Sequence, residues 1–173
     1  NPQFFYEYSH VITGAITMGG ILVAGMSAFK LLKKETLKDT TVALYKKSVR
    51  IGLVISLFGS LAVMGAGDLQ MKALLHDQPM KFAAMEGDYE DSGDPAAWTV
   101  VAWANEADKK QVFGIKVPYM LSILSYGKPS GAVPGMNTAN KDLVKKYGER
   151  NYFPMVNLLF YSFRLMAGFG MLM

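Results

Sequence analysis

Three long apolar segments divide the chain. Val11–Phe29 has 19 residues without a charged side chain, and Ile51–Gly67 has 17. Tyr152–Met173 adds 22 residues, of which only Arg164 is charged. A helix needs about 17–25 apolar residues to cross the hydrocarbon core of a bilayer. The pattern therefore predicts an all-α fold, an integral membrane helical bundle segment with three transmembrane helices.

The segment between the second and third apolar stretches is long and mostly polar. It contains Trp98, Phe113 and the apolar run Val117–Leu124, which is too short to span a membrane. A loop of this length with its own aromatic residues is more typical of a functional loop than of a linker. The predicted organisation has three parts: two transmembrane helices with a connector in residues 1–67, a loop in residues 68–151, and the third helix in residues 152–173.

Composition narrows the classes of protein that remain. Only 18% of residues are charged and 51% are hydrophobic, whereas soluble domains carry about 25% charged residues. An ordinary soluble enzyme is therefore excluded, and the 12% of aromatic residues argues against disorder. The absence of cysteine excludes disulfides and thiolate sites. No signal-peptide pattern precedes the first span, and we expect the chain to be a segment of a longer polypeptide.

The charges predict the orientation of the spans. Residues 30–50 hold seven Lys or Arg against two Asp or Glu, whereas residues 68–151 hold ten against eleven. Short loops rich in Lys and Arg stay on the cytoplasmic side of a membrane. We therefore predict a cytoplasmic connector and an external loop. The alternatives for a basic stretch, a solvated face or a nucleic-acid patch, fit its position between two spans less well, and no nucleic-acid partner is predicted.

Arg164 lies in the middle of the third apolar segment. It is ten residues beyond Pro154, about 15 Å along a helix. A central arginine is expensive in a bilayer and is usually held by an anionic partner or a water-filled site. The alternative, an arginine that extends to the membrane interface, is less favoured at this depth. We therefore predict an anionic partner for Arg164.

A histidine and a methionine lie at compatible depths in two spans. If the helices begin at Pro2 and Pro154, His10 lies about 12 Å and Met166 about 18 Å from the outer ends. Imidazole and thioether together are a ligand set of low-spin haem. Position alone favours an interfacial histidine and a packing methionine, so the geometry permits a haem without requiring one.

Five short motifs, in order along the chain, carry a family resemblance. The most specific is Gln-Pro-Met-Lys-Phe-Ala-Ala-Met-Glu-Gly at residues 78–87. The others are His10 in the Asn-Pro opening segment, Gly67-Asp68, Val117–Leu124 and Phe163–Met166. With these motifs the sequence resembles the central part of subunit I of the cytochrome bd quinol oxidase family, over essentially all 173 residues.

The resemblance implies a cofactor and its ligands. His10 and Met166 would be the axial ligands of the low-spin b haem, of the b558 type, and hence bind its iron. Arg164 would lie near that haem and favour its reduced form. The complete subunit would also carry a high-spin haem b and a haem d, whose protein ligands come from helices outside this sequence.

The resemblance also implies a quinol-oxidation site that contains Lys81 and Glu86, with Asp68 at its edge. Glu86 would accept a proton, and Lys81 would donate a hydrogen bond to a quinone oxygen. A spacing of five places the two side chains about 140° apart on a helix. Either the segment is irregular, or the two residues contact the ligand from different sides.

The function that follows from the resemblance is that of a terminal respiratory oxidase. The complete complex would oxidise membrane quinol, pass electrons through the b haem toward oxygen, and generate a proton gradient; this segment alone would be inactive. Its partners would be menaquinol or ubiquinol, membrane lipid, the rest of subunit I and a second oxidase subunit, in a bacterial or archaeal cell membrane. The alternatives are a haem-free quinone-binding scaffold or transporter segment, and a soluble helical interaction domain.

Overall fold

The computed structural model describes residues 2–32 and 38–172. Part of the basic connector, including Lys33, Lys34 and Glu35, lies outside the described residues. The elements run in this order: α1 (Pro2–Leu31), α2 (Asp39–Asp77), α3 (Pro79–Glu86), β1 (Trp98–Asn105), β2 (Lys110–Val117), α4 (Met120–Tyr126), α5 (Met136–Tyr147) and α6 (Val156–Leu172). The chain forms two compact units, residues 1–70 and 71–173, and α2 continues from the first into the second.

The first unit is an antiparallel pair of helices that pack through glycine. A Cβ atom on Gly20 of α1 would lie 2.8 Å from the carbonyl oxygen of Gly52 in α2. A Cβ atom on Gly59 would lie 2.6 Å from the Thr17 hydroxyl oxygen. Small residues let helix backbones approach closely where lipid supplies no hydrophobic force between helices. The spacing of glycines along α2 therefore sets how closely α1 packs against it.

α1 and α2 have the length and the surface of membrane helices. Their most apolar windows have mean hydropathies of 1.7 and 1.9, and only 17% and 11% of these windows are buried within the chain. The exposed side chains are mostly large and apolar, as a lipid-facing surface requires. Within the described part of the chain, these are the two helices that are long and apolar enough to cross a membrane, whereas α6 is a shorter apolar helix.

The second unit contains a β-hairpin that the all-α prediction missed. β1 and β2 pair in antiparallel fashion, with Thr99 opposite Lys116 and Trp103 opposite Phe113. Both strands are rich in the β-branched and aromatic residues that favour extended structure. These runs, separated by a short polar stretch, are a hairpin signal that the membrane-based interpretation passed over. The chain is therefore mostly helical with a small two-stranded sheet, and the all-α prediction was wrong on this point.

Helix α3 lies at the centre of the second unit. Its residues Ala83 and Ala84 are fully buried, and it packs against both α5 and α6. Met136 at the start of α5 and Val156 at the start of α6 join the same apolar cluster. Because small residues of α3 meet both neighbours, the helix is fixed in position and the groups at its two ends are held at defined places.

Candidate functional site

The two ends of α3 present different chemistry. Pro79 occupies the first turn, where a missing N–H costs nothing. Gly87 ends the helix in the left-handed conformation, with φ of 76°. The Lys81 side chain is exposed, whereas Glu86 is only 3% exposed. The segment is thus a regular helix, and the alternative of an irregular segment is excluded. The structure places Lys81 and Glu86 on different faces, as the five-residue spacing predicts.

Gly87 allows α6 to approach the end of α3. A Cβ atom at this position would lie 2.8 Å from Cδ2 of Phe160. A side chain would also be disfavoured by the positive φ, since only glycine adopts this conformation without steric cost. Phe160 is buried and lies one turn before Arg164 on α6. The glycine therefore lets α6 come close enough for Arg164 to reach Glu86.

Arg164 uses its guanidinium group to join three segments of the second unit. Nη2 lies 3.1 Å from Oε2 of Glu86, and Nη1 donates to the backbone oxygen of Met85 at 2.6 Å. Nε is 3.1 Å from the backbone oxygens of both Thr99 and Val100, and Nη2 also donates to Thr99. Burying a charge is costly unless it is paired and hydrogen-bonded, and this arrangement meets both conditions. The prediction of an anionic partner for Arg164 is confirmed.

Aromatic rings complete the environment of this ion pair. The guanidinium carbon of Arg164 lies 3.6 Å from the ring centroid of Phe160 and 5.5 Å from that of Trp98. A cation over an aromatic ring gains electrostatic stabilisation that increases when water is excluded. The side chains of Arg164 and Glu86 are only 13% and 4% exposed. The pair is therefore a desolvated ion pair, held between a helix and a hairpin.

Glu86 has the acidity of a group that can exchange protons near neutral pH. Burial raises the pKa of Glu86 to about 7, because desolvation disfavours the carboxylate more than the adjacent Arg164 favours it. The neighbouring charge of Asp88 raises this pKa further, and a hydrogen bond from Trp98 lowers it. A carboxyl group with such a pKa is suited to act as a general base.

A second buried acid, Asp88, lies just beyond the Gly87 turn. Its Oδ1 accepts a hydrogen bond from Lys116 Nζ at 3.1 Å and from the Thr99 hydroxyl at 3.4 Å. Thr99 and Lys116 face each other across the hairpin, and directly opposite residues project from the same side of a sheet. Burial raises the pKa of Asp88, against the lowering effect of Lys116. Asp88 also lines a cavity of about 500 Å³.

Lys81 lines a different cavity, of about 290 Å³. Gln78 and Asp77 add polar groups to it, while Tyr152 and Leu159 are among its other lining residues. Apolar cavities with a few placed polar groups are typical of sites for small organic ligands. Glu86 does not line this cavity, so the structure does not bring Lys81 and Glu86 to one surface.

The proposed haem ligands lie in separate units and differ in exposure. His10 is half-buried in the first unit, and its Nδ1 is buried without a hydrogen-bond partner among the described residues. A Cβ atom on Gly67 would lie 3.1 Å from Cε1 of this ring, so the glycine makes room for it. Met166, in the second unit, is 58% exposed. Asp68, next to Gly67 on α2, is exposed.

Sequence reasoning missed Asp88 and the two residues that hydrogen-bond to it, Thr99 and Lys116. Thr99 and Lys116 meet because of the hairpin register, which is set by pairing between segments and not by local pattern. Asp88 follows Glu86 by two residues and begins an acidic stretch. A signal for it was therefore present, but nothing in the sequence separated this acid from the exposed acids that follow.

Two apolar helices with lipid-type surfaces, joined to a folded segment with a desolvated acid–arginine pair, are the features of an integral membrane protein with a buried carboxyl group. A family model for the cytochrome bd terminal oxidase subunit I matches residues 1–173, and the chain belongs to this family. The family is one of integral membrane proteins that contain haem.

Individual relatives agree with this assignment. The chain is 46% identical over 173 residues to the cytochrome bd ubiquinol oxidase subunit 1 of Bacillus subtilis strain 168, covering 100% of this chain and 36% of the relative. It is 29% identical to the cytochrome bd-II ubiquinol oxidase subunit 1 of Escherichia coli K12, covering 100% and 35%. The chain thus spans about a third of the length of the curated relatives that it matches.

A solved structure has the same fold. The bd oxidase from Geobacillus thermodenitrificans superposes with a TM-score of 0.77 at 24% sequence identity, covering 99% of this chain and 36% of that chain. At this level of identity the similarity concerns the fold. It includes the membrane helices together with the loop segment that holds Glu86.

Proposed function

We propose that this chain is the electron-entry segment of a respiratory quinol oxidase, in which quinol gives its protons to the loop and its electrons to a haem. The complete complex would deliver those electrons to oxygen and form water. Its substrate would be menaquinol or ubiquinol, and its partners the rest of subunit I and a second oxidase subunit. The names of two relatives, both ubiquinol oxidases, support this class of substrate.

The ion pair of Glu86 and Arg164 is the observation that carries this proposal. Arg164 and Met166 are two residues apart on α6, about 3 Å along the axis and about 200° around it. Arg164 therefore points into the loop, whereas Met166 is exposed on another face of the same helix. The proposed proton acceptor therefore contacts the helix that carries the proposed haem ligand.

Residues of α3 would carry out the proton transfer. With its pKa raised to about 7 by burial, Glu86 is partly ionised at neutral pH and can accept a proton from a quinol hydroxyl. Lys81, in the cavity at the start of the helix, would donate a hydrogen bond to a quinone oxygen. Glu86, on a different face of α3, would take up the proton released there, and Asp68 would lie at the edge of the site.

The residues present fit a low-spin haem. His10 offers a buried imidazole nitrogen without a partner among the described residues, and Met166 offers an exposed thioether. When bound by these two groups, a b558-type haem supplies one-electron transfer at a raised potential. Gly67 has no Cβ atom and so lets the His10 ring pack against α2, and Arg164 lies two residues before Met166 on α6. A high-spin haem b and a haem d would bind elsewhere in the complete subunit.

The membrane placement completes the proposal. α1 and α2 would cross the bilayer, and α6 would form a third span. Because Lys and Arg concentrate between α1 and α2, this connector would lie in the cytoplasm and residues 68–151 outside. Protons from quinol would then be released on the outer side of a bacterial or archaeal cell membrane, which builds a proton gradient.

Redox difference spectra of the intact complex test the haem assignment. His10→Ala and Met166→Leu should each abolish or strongly alter the low-spin b signal. Met155→Leu is the matched control, since Met155 is also exposed, just before α6, and should leave the spectrum unchanged. An unaltered low-spin signal in both ligand variants would contradict the assignment.

A further inference from the structure

Asp88 is a buried acid that the proposed quinol site does not use. It is 8% exposed, and it lies between the ion pair of Glu86 and the cavity of about 500 Å³. Its hydrogen bonds come from the Thr99 hydroxyl and from Lys116. The backbone oxygen of the same Thr99 accepts from Arg164. Thr99 therefore contacts both charge pairs, one through its backbone and the other through its hydroxyl.

The other acids on this cavity are occupied in holding α5. Glu90 accepts a hydrogen bond from the Asn137 side chain at 2.7 Å. Asp91 accepts from the Gly135 backbone at 2.7 Å and from the Thr138 hydroxyl at 3.0 Å. Both side chains bind the N-terminal end of α5, and Asp91 satisfies a backbone N–H group there. Asp88 differs, because its partners are the hairpin residues next to the Glu86 ion pair.

We propose that Asp88 is the proton-release residue of the quinol site, which takes the proton from Glu86 and passes it to water in the cavity. This inference rests on the proposed function, since it needs a quinol that donates a proton to Glu86. The cavity is lined by Lys110, Lys116 and Gln111 from the hairpin and by the acidic segment that follows α3. It is polar enough to hold water that carries the proton away.

The transfer balances in protons and electrons. Quinol would lose its two hydrogens in two successive steps: in each, one O–H bond breaks, the proton goes to the Glu86 carboxylate and one electron goes to the haem of the proposed function, so that quinone remains after the second. The proton then moves past Gly87 to Asp88, whose carboxylate the Thr99 hydroxyl holds in place by its hydrogen bond. Asp88 finally gives the proton to cavity water, and Glu86 is again ionised.

The route to solvent favours this direction. Asp88 faces Lys116 from β2, Glu86 from α3 and Arg164 from α6. Glu86 faces Arg164 and Asp88, with Trp98 as a neutral hydrogen-bond donor. Lys116 is 42% exposed, so Asp88 is paired with a cation that water can reach. A proton on Asp88 therefore has a shorter way to solvent than a proton on Glu86.

The test measures quinol oxidation by the full-length complex with Asp88→Asn and Thr99→Val. Each variant should lower the rate at saturating quinol at least about tenfold, with an unchanged KM, because neither residue touches the quinol. Millimolar formate, a small diffusible acid–base pair, should restore part of the rate of Asp88→Asn, and Asp88→Glu should retain most of it. Glu90→Gln is the matched control on the same cavity and should behave as the unmodified complex.

The pH profile gives a second readout. The charge of Asp88 raises the pKa of Glu86, so Asp88→Asn should move the acidic limb of the rate profile to lower pH while the maximal rate falls. If Asp88→Asn changes neither the maximal rate nor the acidic limb of the pH profile, the proposal is overturned. A lowered rate that neither formate nor Asp88→Glu restores would also overturn it, because that result indicates a purely structural residue.

Anaerobic reduction of the low-spin b haem by quinol separates this proposal from the proposed function. If quinol does not reduce that haem in the unmodified complex, the proposed function fails. If it does, and Asp88→Asn still turns over normally, only the role of Asp88 is overturned.

Discussion

At the scale of single residues, the properties of Glu86 come from what surrounds it. Desolvation raises its pKa to about 7, and Arg164 limits that rise. Arg164 is in turn held by the backbone oxygens of Met85, Thr99 and Val100. The guanidinium group can satisfy several acceptors at once because its donors lie in a fixed plane. Burial thus allows Glu86 to hold a proton near neutral pH, and the ion pair with Arg164 allows it to release that proton.

Arg164→Leu should shift the pH dependence of quinol oxidation. Arg164 lowers the pKa of Glu86, so its loss raises that pKa above about 7. The acidic limb of the rate profile should therefore move to higher pH, because the carboxylate form is needed to accept a proton. Leaving one partner of a buried ion pair alone costs about 3–5 kcal/mol, so the unfolding temperature of the complex should also fall.

The control for this prediction is Arg150→Leu, at an exposed arginine in the segment between α5 and α6. It removes the same charge and should change neither quantity. A rate profile of Arg164→Leu that coincides with that of the unmodified complex would contradict the role given to the ion pair.

At the scale of elements, the site depends on how closely α3, the hairpin and α6 approach one another. Gly87 ends α3 and faces the Phe160 ring, and the hairpin brings Thr99 against both Arg164 and Asp88. Asn157 adds a further link, because its side chain bonds to the backbone N–H and oxygen of Ala104 in β1. The first turns of α6 are therefore attached along one strand of the hairpin.

Gly87→Ala should weaken this junction. The left-handed conformation costs an alanine about 1–2 kcal/mol, and its Cβ atom would clash with Phe160 at 2.8 Å. Thermal unfolding of the complex should occur at a lower temperature, and the acidic limb of quinol oxidation should shift because the contact of Glu86 with Arg164 is disturbed.

Gly127→Ala separates the cost of the left-handed backbone from the clash with Phe160. Gly127 has a similar φ of 67°, but nothing lies within 4 Å of a Cβ atom placed there. The Gly127→Ala variant should therefore unfold at a lower temperature because of the backbone conformation alone, and its pH profile of quinol oxidation should not change. If Gly87→Ala and Gly127→Ala have equal effects on both measurements, the close approach of α6 at Gly87 is not important for the site.

At the scale of the whole molecule, lipid-facing helices and a folded polar segment share one chain. The two long helices expose apolar side chains over most of their surface. The polar segment buries its own acids and forms its own apolar clusters. One part of the chain is therefore suited to contact with lipid. The other part excludes water from its ion pair by packing of its own side chains.

Cysteine labelling tests the predicted orientation of these parts. The chain has no cysteine, so Lys128→Cys in the loop and Lys46→Cys in the connector each add a single thiol to it, at an exposed position. In whole cells, a membrane-impermeant thiol reagent should label the loop variant and not the connector variant. After lysis both should be labelled, which shows that each thiol can react. The unmodified complex measures labelling of other subunits, and the reverse pattern would contradict an external loop.

Residue type and spacing were enough to predict several features of the structure from the sequence. The lengths of Val11–Phe29 and Ile51–Gly67 predicted two membrane helices, because crossing a bilayer requires a minimum number of apolar residues. The cost of an arginine among apolar residues predicted a partner for Arg164. The signature at residues 78–87 indicated the family. Each of these conclusions depends on residue type and spacing alone.

The tertiary structure decided which residues meet. Glu86 is the partner of Arg164, 78 residues away in sequence, and no local pattern encodes that contact. The hairpin register placed Thr99 and Lys116 beside Asp88, and it depends on pairing between two segments. Burial raised the pKa of Glu86 only because the hairpin and α6 exclude water from it. Sequence by itself therefore determined the membrane character and the family, whereas long-range packing alone determined the site's charge pairs and proton affinity.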